Sequence, residues 1–427
     1  MFVDNPHMNA SLHCATPEGT NCQGSMSQGF PRLMVATEFP PNGSGGGAAI
    51  VRQMLKGWPA DRLFWWSRAA DSDQRFGQKV SLHSAAKIPS KLVPHYKFPR
   101  AKTWLLERLW EPWAARHLKR TILKWRPDVV WSIPHAWSIA PMAACLPSGS
   151  TGFHVSIHDY ADDRRAVLAL GEKRCSKLAT LADCLYSTAT TRDAICEAMV
   201  SDLKARTGAG GSVSHAGLEP EDFEYLERRT DLPQEAVRIA FVGSITTEPT
   251  FQLFVQALET VRKSFPRLIT LEIFSAHPYS ARPWFNPSWM NERGNLAEPH
   301  FTKALRECSW GFAPMTLAED DPRYRFSFST KFISYIAAGL PVFTLGHEGT
   351  GVVQMARKYD VGLCLTSGDA KHVREKLLTA LSLPNPWAVF GSEISRCAHS
   401  EFDAGKLRER LHEQFNVCAR KTTAGKG

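Results

Sequence analysis

The segment Phe328-Ser329-Thr330-Lys331-Phe332-Ile333-Ser334 places a cation directly after two hydroxyl side chains and ahead of an apolar run. Ser329 or Thr330 can cap a helix start with a side-chain oxygen. A helix start presents free N–H groups and the positive end of a dipole, so Lys331 in its first turn suits a phosphate. The alternative is an ordinary helix–strand unit with a solvated lysine. Just upstream, Arg323 and Arg325 have the planar forks that grip phosphate oxygens two at a time. They are equally suited to pairing with Glu319, Asp320 and Asp321. Far earlier, His158-Asp159 closes the apolar run Phe153 to Ile157, with Asp162, Asp163, Arg164 and Arg165 close behind. A histidine at the carboxyl end of a strand in an open α/β sheet points into the ligand crevice and titrates near neutrality. A structural histidine bonded to Asp159 is the other reading. A third candidate is Pro40-Pro41-Asn42-Gly43-Ser44-Gly45-Gly46-Gly47, where backbone can approach a ligand closely. The loop is neither G-x-G-x-x-G nor a Walker A motif, and such loops also serve as plain flexible connectors.

These residues need elements to hold them. Arg32 to Thr37 reads as a strand before the glycine loop, and Ala48 to Lys56 as the helix after it. Leu63 to Trp66 reads as a second strand, with further strands starting at Pro127 and Phe153. Leu178 to Tyr186 reads as a strand-bearing unit, followed by a helix over Thr190 to Ala205. Arg229 to Ala236 is a polar linker. A second alternation then opens with the strand Arg238 to Ile245, the helix Thr250 to Ser264 and the strand Leu268 to Phe274. Asn295 to Trp310 reads as loop plus helix, Gly311 to Met315 as a strand and Thr350 to Lys358 as a helix. After the Lys331 helix, Gly339 supplies a left-handed stop, Pro341 prevents continuation, and Leu340 to Leu345 is a buried strand. Two successive α/β halves predict two Rossmann-like domains facing across a cleft.

The chain has 427 residues, which suits two domains of roughly 200 each. With 43% hydrophobic and 22% charged residues it is an ordinary globular composition. No run of about 18 apolar residues predicts a membrane span. The ten cysteines form no C-x-x-C pair or zinc-spaced cluster, and Cys145, Cys184 and Cys308 lie in apolar surroundings, so buried free thiols and a reducing cytoplasm are expected. The net charge of +9 suits a polyanion, a membrane surface or phosphorylated substrates. It concentrates in Lys97 to Arg126, where nine Lys/Arg face two Glu and four Trp are interleaved. Pro112 is expected to divide that stretch into two helical pieces. Trp, Leu and basic residues interleaved on helices suit the inner face of an anionic membrane or a lipid-linked acceptor. They equally suit helices packing on the core with a solvated basic face. Nucleic acid uses such surfaces too, but no binding motif for it is present.

S-T-K-F-x-x-Y-I-A-A-G-L-P-V, from Ser329 to Val342, resembles the segment that borders the nucleotide-sugar pocket in GT-B glycosyltransferases, especially glycosyltransferase family 4. The glycine loop resembles the family's P-P-x-x-G-G opening beside sugar and acceptor. Val155-Ser156-Ile157-His158-Asp159-Tyr160 resembles its H-D segment, whose histidine faces the reacting sugar. Val213 to Leu218 resembles the turn that closes its first domain. The resemblance covers roughly Arg32 to Phe415. It implies a GT-B architecture: an acceptor-side domain over 31–228, a linker over 229–237, a nucleotide-sugar domain over 238–397 and a helix over 398–417 crossing back; by composition the Gly-, Ser-, Asn- and His-rich 1–30 reads as a disordered tail, and 418–427 as another.

The resemblance further implies a retaining, metal-independent hexosyl or related transferase acting on a nucleotide-diphosphate sugar and an acceptor hydroxyl, without a cofactor. His158 and Lys331 would be catalytic. Gly243, Ser244, Arg325, Ser329, Thr330, Lys331 and Ser334 would meet the donor, and Gly45, Gly46, Gly47 and Asp159 the sugar or acceptor. The acceptor would be a glycan, a lipid-linked intermediate or a small metabolite. No D-x-D motif or His/Asp metal cluster lies near the proposed cleft. Two departures stand out. The loop Gly243 to Pro249 lacks the family's Arg and Lys, and Phe326 and Ser334 occupy the positions of its paired Glu residues. They motivate a rival reading, a GT-B-shaped binding or scaffold protein; a sugar-nucleotide epimerase ranks last, because no carboxylate arrangement supports it.

Overall fold

The computed structural model describes residues 29–41, 46–69, 82–93, 98–161, 171–229, 236–318, 326 and 328–424. Gly45, Arg323, Arg325, Glu319 to Asp321, Asp162 to Arg165 and the N-terminal tail to residue 28 lie outside them, and so does the side chain of Gly46.

Two parallel sheets organise the described chain. The first runs in the order β3-β2-β1-β4-β5-β6-β7, from β1 (Leu33–Thr37), β2 (Leu63–Ser67), β3 (His83–Ala85), β4 (Val129–Ile133), β5 (Gly152–Ile157), β6 (Thr191–Ala194) and β7 (Ser212–Val213). The second runs β10-β9-β8-β11-β12-β13, from β8 (Ala236–Val242), β9 (Leu268–Phe274), β10 (Met290–Glu292), β11 (Trp310–Pro314), β12 (Val342–Leu345) and β13 (Gly362–Leu365). The central strands are apolar on both faces: every residue of β1, β4, β5, β11 and β12 is buried. That double burial is what a parallel sheet covered by helices on both sides requires.

Helices α1 (Gly46–Met54), α2 (Pro99–Leu105), α3 (Glu111–Trp125), α4 (Ile139–Cys145), α5 (Glu172–Thr188) and α6 (Glu197–Thr207) accompany the first sheet, whereas α7 (Pro220–Arg228) packs on the second-domain helices Thr330–Ala337 and Pro386–Glu401. Helices α8 (Glu248–Arg262), α9 (His300–Arg306), α10 (Thr330–Ala337), α11 (Gly351–Tyr359), α12 (Ala370–Leu381) and α13 (Pro386–Glu401) accompany the second. The last helix, α14 (Ala404–Ala424), crosses back: Phe415 packs on Trp58, Trp131 and His154 of the first domain with ring centroids 5.7, 5.3 and 5.5 Å away.

The strand expected within Leu178 to Tyr186 is helix α5, and the strand follows it at β6. A short strand flanked by long helices yields to the helical period on both sides. Lys97 to Arg126 divides at a π-type turn over Leu106–Trp110 rather than at Pro112, which sits in the first turn of α3 where its missing N–H is harmless. α14 runs past Val417, the expected end, to Ala424.

Both sheets reverse strand order once, between β1 and β4 and between β8 and β11. The carboxyl edge at such a reversal is where open α/β sheets bind ligands.

Candidate active site

At the carboxyl edge of the first sheet four polar residues follow four strand ends. Glu38 follows β1, Arg68 follows β2, His135 to Ser138 follow β4, and His158 follows β5. Glu38 spans the strand reversal: its Oε2 accepts from the Ser138 backbone N–H at 2.9 Å and its Oε1 from Arg68 Nε at 2.6 Å. Burial raises the Glu38 carboxyl above its ordinary value, against the opposing pull of Arg68, His135 and the Ser138 amide. Arg68 is itself partly exposed, with 31% of its side chain open. No sequence motif marks this group. The signal was a buried carboxylate directly after the first strand and an arginine directly after the second.

His158 is half-buried, and its Nδ1 is enclosed without a hydrogen-bond partner. A Cβ on Gly47 would come 3.7 Å from that nitrogen and 3.3 Å from the Phe39 ring, so α1 starts against the imidazole with no side chain between. Burial lowers the His158 pKa; Asp193 and Asp159 pull it up and His135 pushes it down, and burial prevails. The imidazole is therefore neutral at pH 7. Asp159 contributes charge, and the alternative of a histidine anchored at Nδ1 is not what the geometry gives.

The edge of the second sheet is built differently. Gly243 follows β8 with φ +76°, a left-handed backbone that suits glycine. A Cβ there would lie 3.4 Å from Lys331 Nζ, so the ammonium sits over the Gly243 backbone. Tyr335, one turn after Lys331 on α10, fixes this arrangement. Its hydroxyl donates to the Phe312 carbonyl at 2.9 Å and accepts from the Val242 N–H at 3.0 Å. It thereby spans β11 and β8 just beyond their last paired residues, Gly311 and Ala240. Any side chain on Gly311 would strike the Tyr335 ring.

Two helix starts point at this place, α8 and α10. Neither N-cap hydroxyl, Thr247 nor Ser329, is spent on its own helix, and Thr247 Oγ1 is buried without a partner. Glu248, the acidic residue of the loop, takes the Trp284 indole N–H at 3.1 Å and lies 3.9 Å from Arg282. A cavity of about 330 Å³ opens at the ends of β9 and β10, lined by Ser275, His277, Glu292 and Asn295 among others, and the Gly243 N–H donates to the carbonyl of Phe274, the last residue of β9, at 2.7 Å. Ser244 and Thr330 are exposed at the same edge. Ser334 departs from its expected role as a donor ligand: its hydroxyl donates back to the Thr330 carbonyl at 3.3 Å, as serine does in a helix interior.

The segments carrying the two edges meet. Tyr160, two residues after His158, packs edge-on against Phe326 at 5.7 Å, and Cys196 Sγ donates to the Phe326 carbonyl at 2.8 Å. His215 stacks on Phe328, the residue before Ser329, at 5.7 Å.

Two three-layer parallel domains with opposed carboxyl edges and a returning C-terminal helix have counterparts among solved structures. A sucrose-phosphate synthase from Thermosynechococcus elongatus aligns over 90% of this chain and 98% of its own, with TM-score 0.64 and 14% identity. An α,α-trehalose 6-phosphate synthase from Burkholderia multivorans aligns over 93% and 99%, with TM-score 0.61 and 11% identity. The fold is GT-B. A trehalose-6-phosphate structure from E. coli, bound with UDP-2-fluoro glucose, aligns over 90% and 98%, with TM-score 0.58 and 13% identity. The sequence matches no family model and no curated protein. At these identities the GT-B likeness establishes the fold, and membership of glycosyltransferase family 4 does not follow from it.

Proposed function

We propose that this GT-B protein transfers a sugar from a nucleoside-diphosphate sugar to an acceptor hydroxyl, with retention and without a metal. The observation that carries the reading is the Lys331 ammonium held against the Gly243 backbone at the strand reversal of the second sheet. A diphosphate needs positive charge there. Lys331, the starts of α8 and α10, and the uncommitted hydroxyls of Thr247 and Ser329 supply it without the arginine the loop lacks. The cavity at the ends of β9 and β10 suits the base and ribose. In the reaction the bond from the anomeric carbon to the phosphate oxygen breaks and the acceptor oxygen bonds to that carbon. The hydroxyl proton passes to the departing phosphate, and Lys331 offsets the charge that develops on it. Neutral His158 donates a hydrogen bond to the sugar, and Arg68, steadied by Glu38, meets the acceptor. We further propose that the acceptor is a glycan or lipid-linked species and that the enzyme works at a membrane face.

The test is a thermal-shift series with nucleoside diphosphates and nucleotide sugars. A ligand at a hundredfold excess over Kd adds about 2.7 kcal/mol to stability. A shift with one nucleoside diphosphate that disappears in Lys331→Ala supports the site and identifies the base; no shift with any of them overturns it. The missing Glu pair favours one rival, a binder without catalysis. Slow release of nucleoside diphosphate from the donor in the absence of acceptor separates the two, since a pure binder releases none.

A further inference from the structure

Of the eleven large hydrophobic side chains exposed among the described residues, five lie on one stretch: Phe98, Trp104, Leu109, Trp113 and Leu123. They are exposed by 77, 57, 63, 43 and 65% respectively. Such a concentration is unusual on a soluble surface. On α3, Trp113, Arg116, Arg120, Leu123 and Lys124 stand at i, i+3, i+7, i+10 and i+11, a single stripe. The other face of the helix, with Glu111, Ala114 and Leu118, is buried.

The π-type turn completes the stripe. In a regular helix Trp104 would be rotated roughly 140° from Leu109, at about 100° per residue. The wider turn over Leu106–Trp110 brings the two back towards one side, and both emerge exposed. Phe98, at the start of α2, is held at φ +54°, a backbone region that bulky side chains rarely adopt.

The charges are sorted as sharply. Both acidic residues of the stretch turn inward onto one partner: Arg174 binds Glu111 at 2.7 Å and also Glu107. The Arg174 guanidinium lies 3.8 Å over the Trp137 ring. With both carboxylates consumed, the exposed charges of α2, the π-type turn and α3 are all basic, namely Arg100, Arg108, Arg116, Lys119, Arg120 and Lys124.

We infer that this face docks on an anionic lipid bilayer, its aromatic and leucine side chains entering the headgroup boundary and its cations meeting lipid phosphates and carboxylates. Exposed Trp, Phe and Leu interleaved with Arg and Lys, and no outward acid, match that surface in both polarity and charge. A nucleic acid would use the cations but would leave Leu109 and Leu123 in water. The docked face is continuous with the first-sheet edge: Trp110 on its inner side packs edge-on against Trp137 at 6.3 Å, and the next residue, Ser138, binds Glu38. Bilayer docking therefore brings the crevice of the first domain to the lipid surface. The inference rests on the proposed membrane-face reading and names its docking surface; vesicle binding tests it separately from sugar transfer, which nucleotide binding tests.

The experiment is co-sedimentation of the full chain with vesicles of phosphatidylcholine alone and of phosphatidylcholine with 30% phosphatidylserine (about 30 mol%, enough for a surface potential). Binding is expected to the anionic vesicles and to fall with added salt. Arg116→Glu/Arg120→Glu/Lys124→Glu should reduce partitioning at least tenfold, as should Trp104→Ser/Trp113→Ser, with melting temperatures unchanged because all five side chains are exposed. Indole fluorescence of the intact chain should shift to the blue on binding. No binding to anionic vesicles, equal binding to both vesicle types, or binding indifferent to these variants overturns the inference. So does loss of RNA or DNA binding in the charge variant without any vesicle binding in the parent.

Discussion

At the carboxyl edge of the first sheet, side chains hold one another: Glu38 grips Arg68 and the Ser138 amide, and His158 sits against Gly47. At the edge of the second sheet, backbone does most of the holding. Gly243 bends away under one ammonium, two helix starts present their N–H groups, and Tyr335 pins β8 to β11 from behind. The difference fits two kinds of ligand. A diphosphate is one anion that peptide dipoles and a single cation can satisfy. An acceptor is recognised by its particular hydroxyls and charges, which needs side chains arranged for the case.

The comparison breaks first at Lys331. Lys331→Ala is expected to lower kcat/KM by about 10²–10³, the range for removing one group that stabilises developing charge, and to weaken nucleoside diphosphate binding while melting stays unchanged. Steady-state kinetics beside a melting curve check this. Lys331→Arg should recover part of the loss, because charge at Gly243 is what matters there. Full activity in Lys331→Ala would mean that the second edge is not the donor side. The next largest effect sharpens the division. Arg68→Ala is expected to raise the acceptor KM about tenfold, a loss of roughly one charge-assisted hydrogen bond, and to leave donor affinity as it was. A change in donor affinity instead would assign both edges to one ligand.

Tyr335→Phe tests the support behind the donor edge. It leaves the buried Phe312 carbonyl and Val242 N–H without their shared partner, at a cost of about 1–3 kcal/mol. Chemical denaturation measures this directly, and the expected effect on turnover is smaller than that of Lys331→Ala.

Much of the frame could be read from residues alone. Runs such as Leu33 to Thr37 and Val342 to Leu345 are buried on both faces, so their apolar pattern is unbroken, and Gly339 and Pro341 mark the end of α10. The strand β6 escaped because four residues, Thr191 to Ala194, carry polar Arg192 and Asp193, and Asp193 is held in the fold by one oxygen on the buried His154 at 3.0 Å. The places of Lys331 at a helix start and of His158 at a strand end could be read from local marks, and that of Gly243 only from the family resemblance. Glu38, Arg68 and Tyr335 were not legible, since their roles depend on neighbours about 30 to 100 residues away that only the strand reversals bring together. Ser334 misled for the opposite reason: its partner is its own helix.

The smallest effect concerns protons, and it distinguishes two groups on the same edge. Burial holds His158 below its ordinary 6.5. A depressed folded pKa contributes stability that is present above 6.5 and is lost as pH falls through the folded value. Glu38 is shifted upward by burial from 4.5. The folded state then holds that proton more tightly, so its contribution is present below 4.5 and is lost as pH rises through the raised value. The two groups thus tilt stability in opposite directions on the acid side of neutrality. Urea melts between pH 4.5 and 7.5 are expected to show His158→Gln losing less stability than the parent as pH falls below 6.5. Glu38→Gln should lose less than the parent as pH rises from 4.5. The kinetic counterpart follows from the neutral imidazole: the acid limb of kcat/KM should lie below pH 6.5. Loss of kcat/KM as pH rises through that region, absent in His158→Gln, would mean that His158 carries a proton in the working enzyme, and its part at the first edge would then be that of a cation.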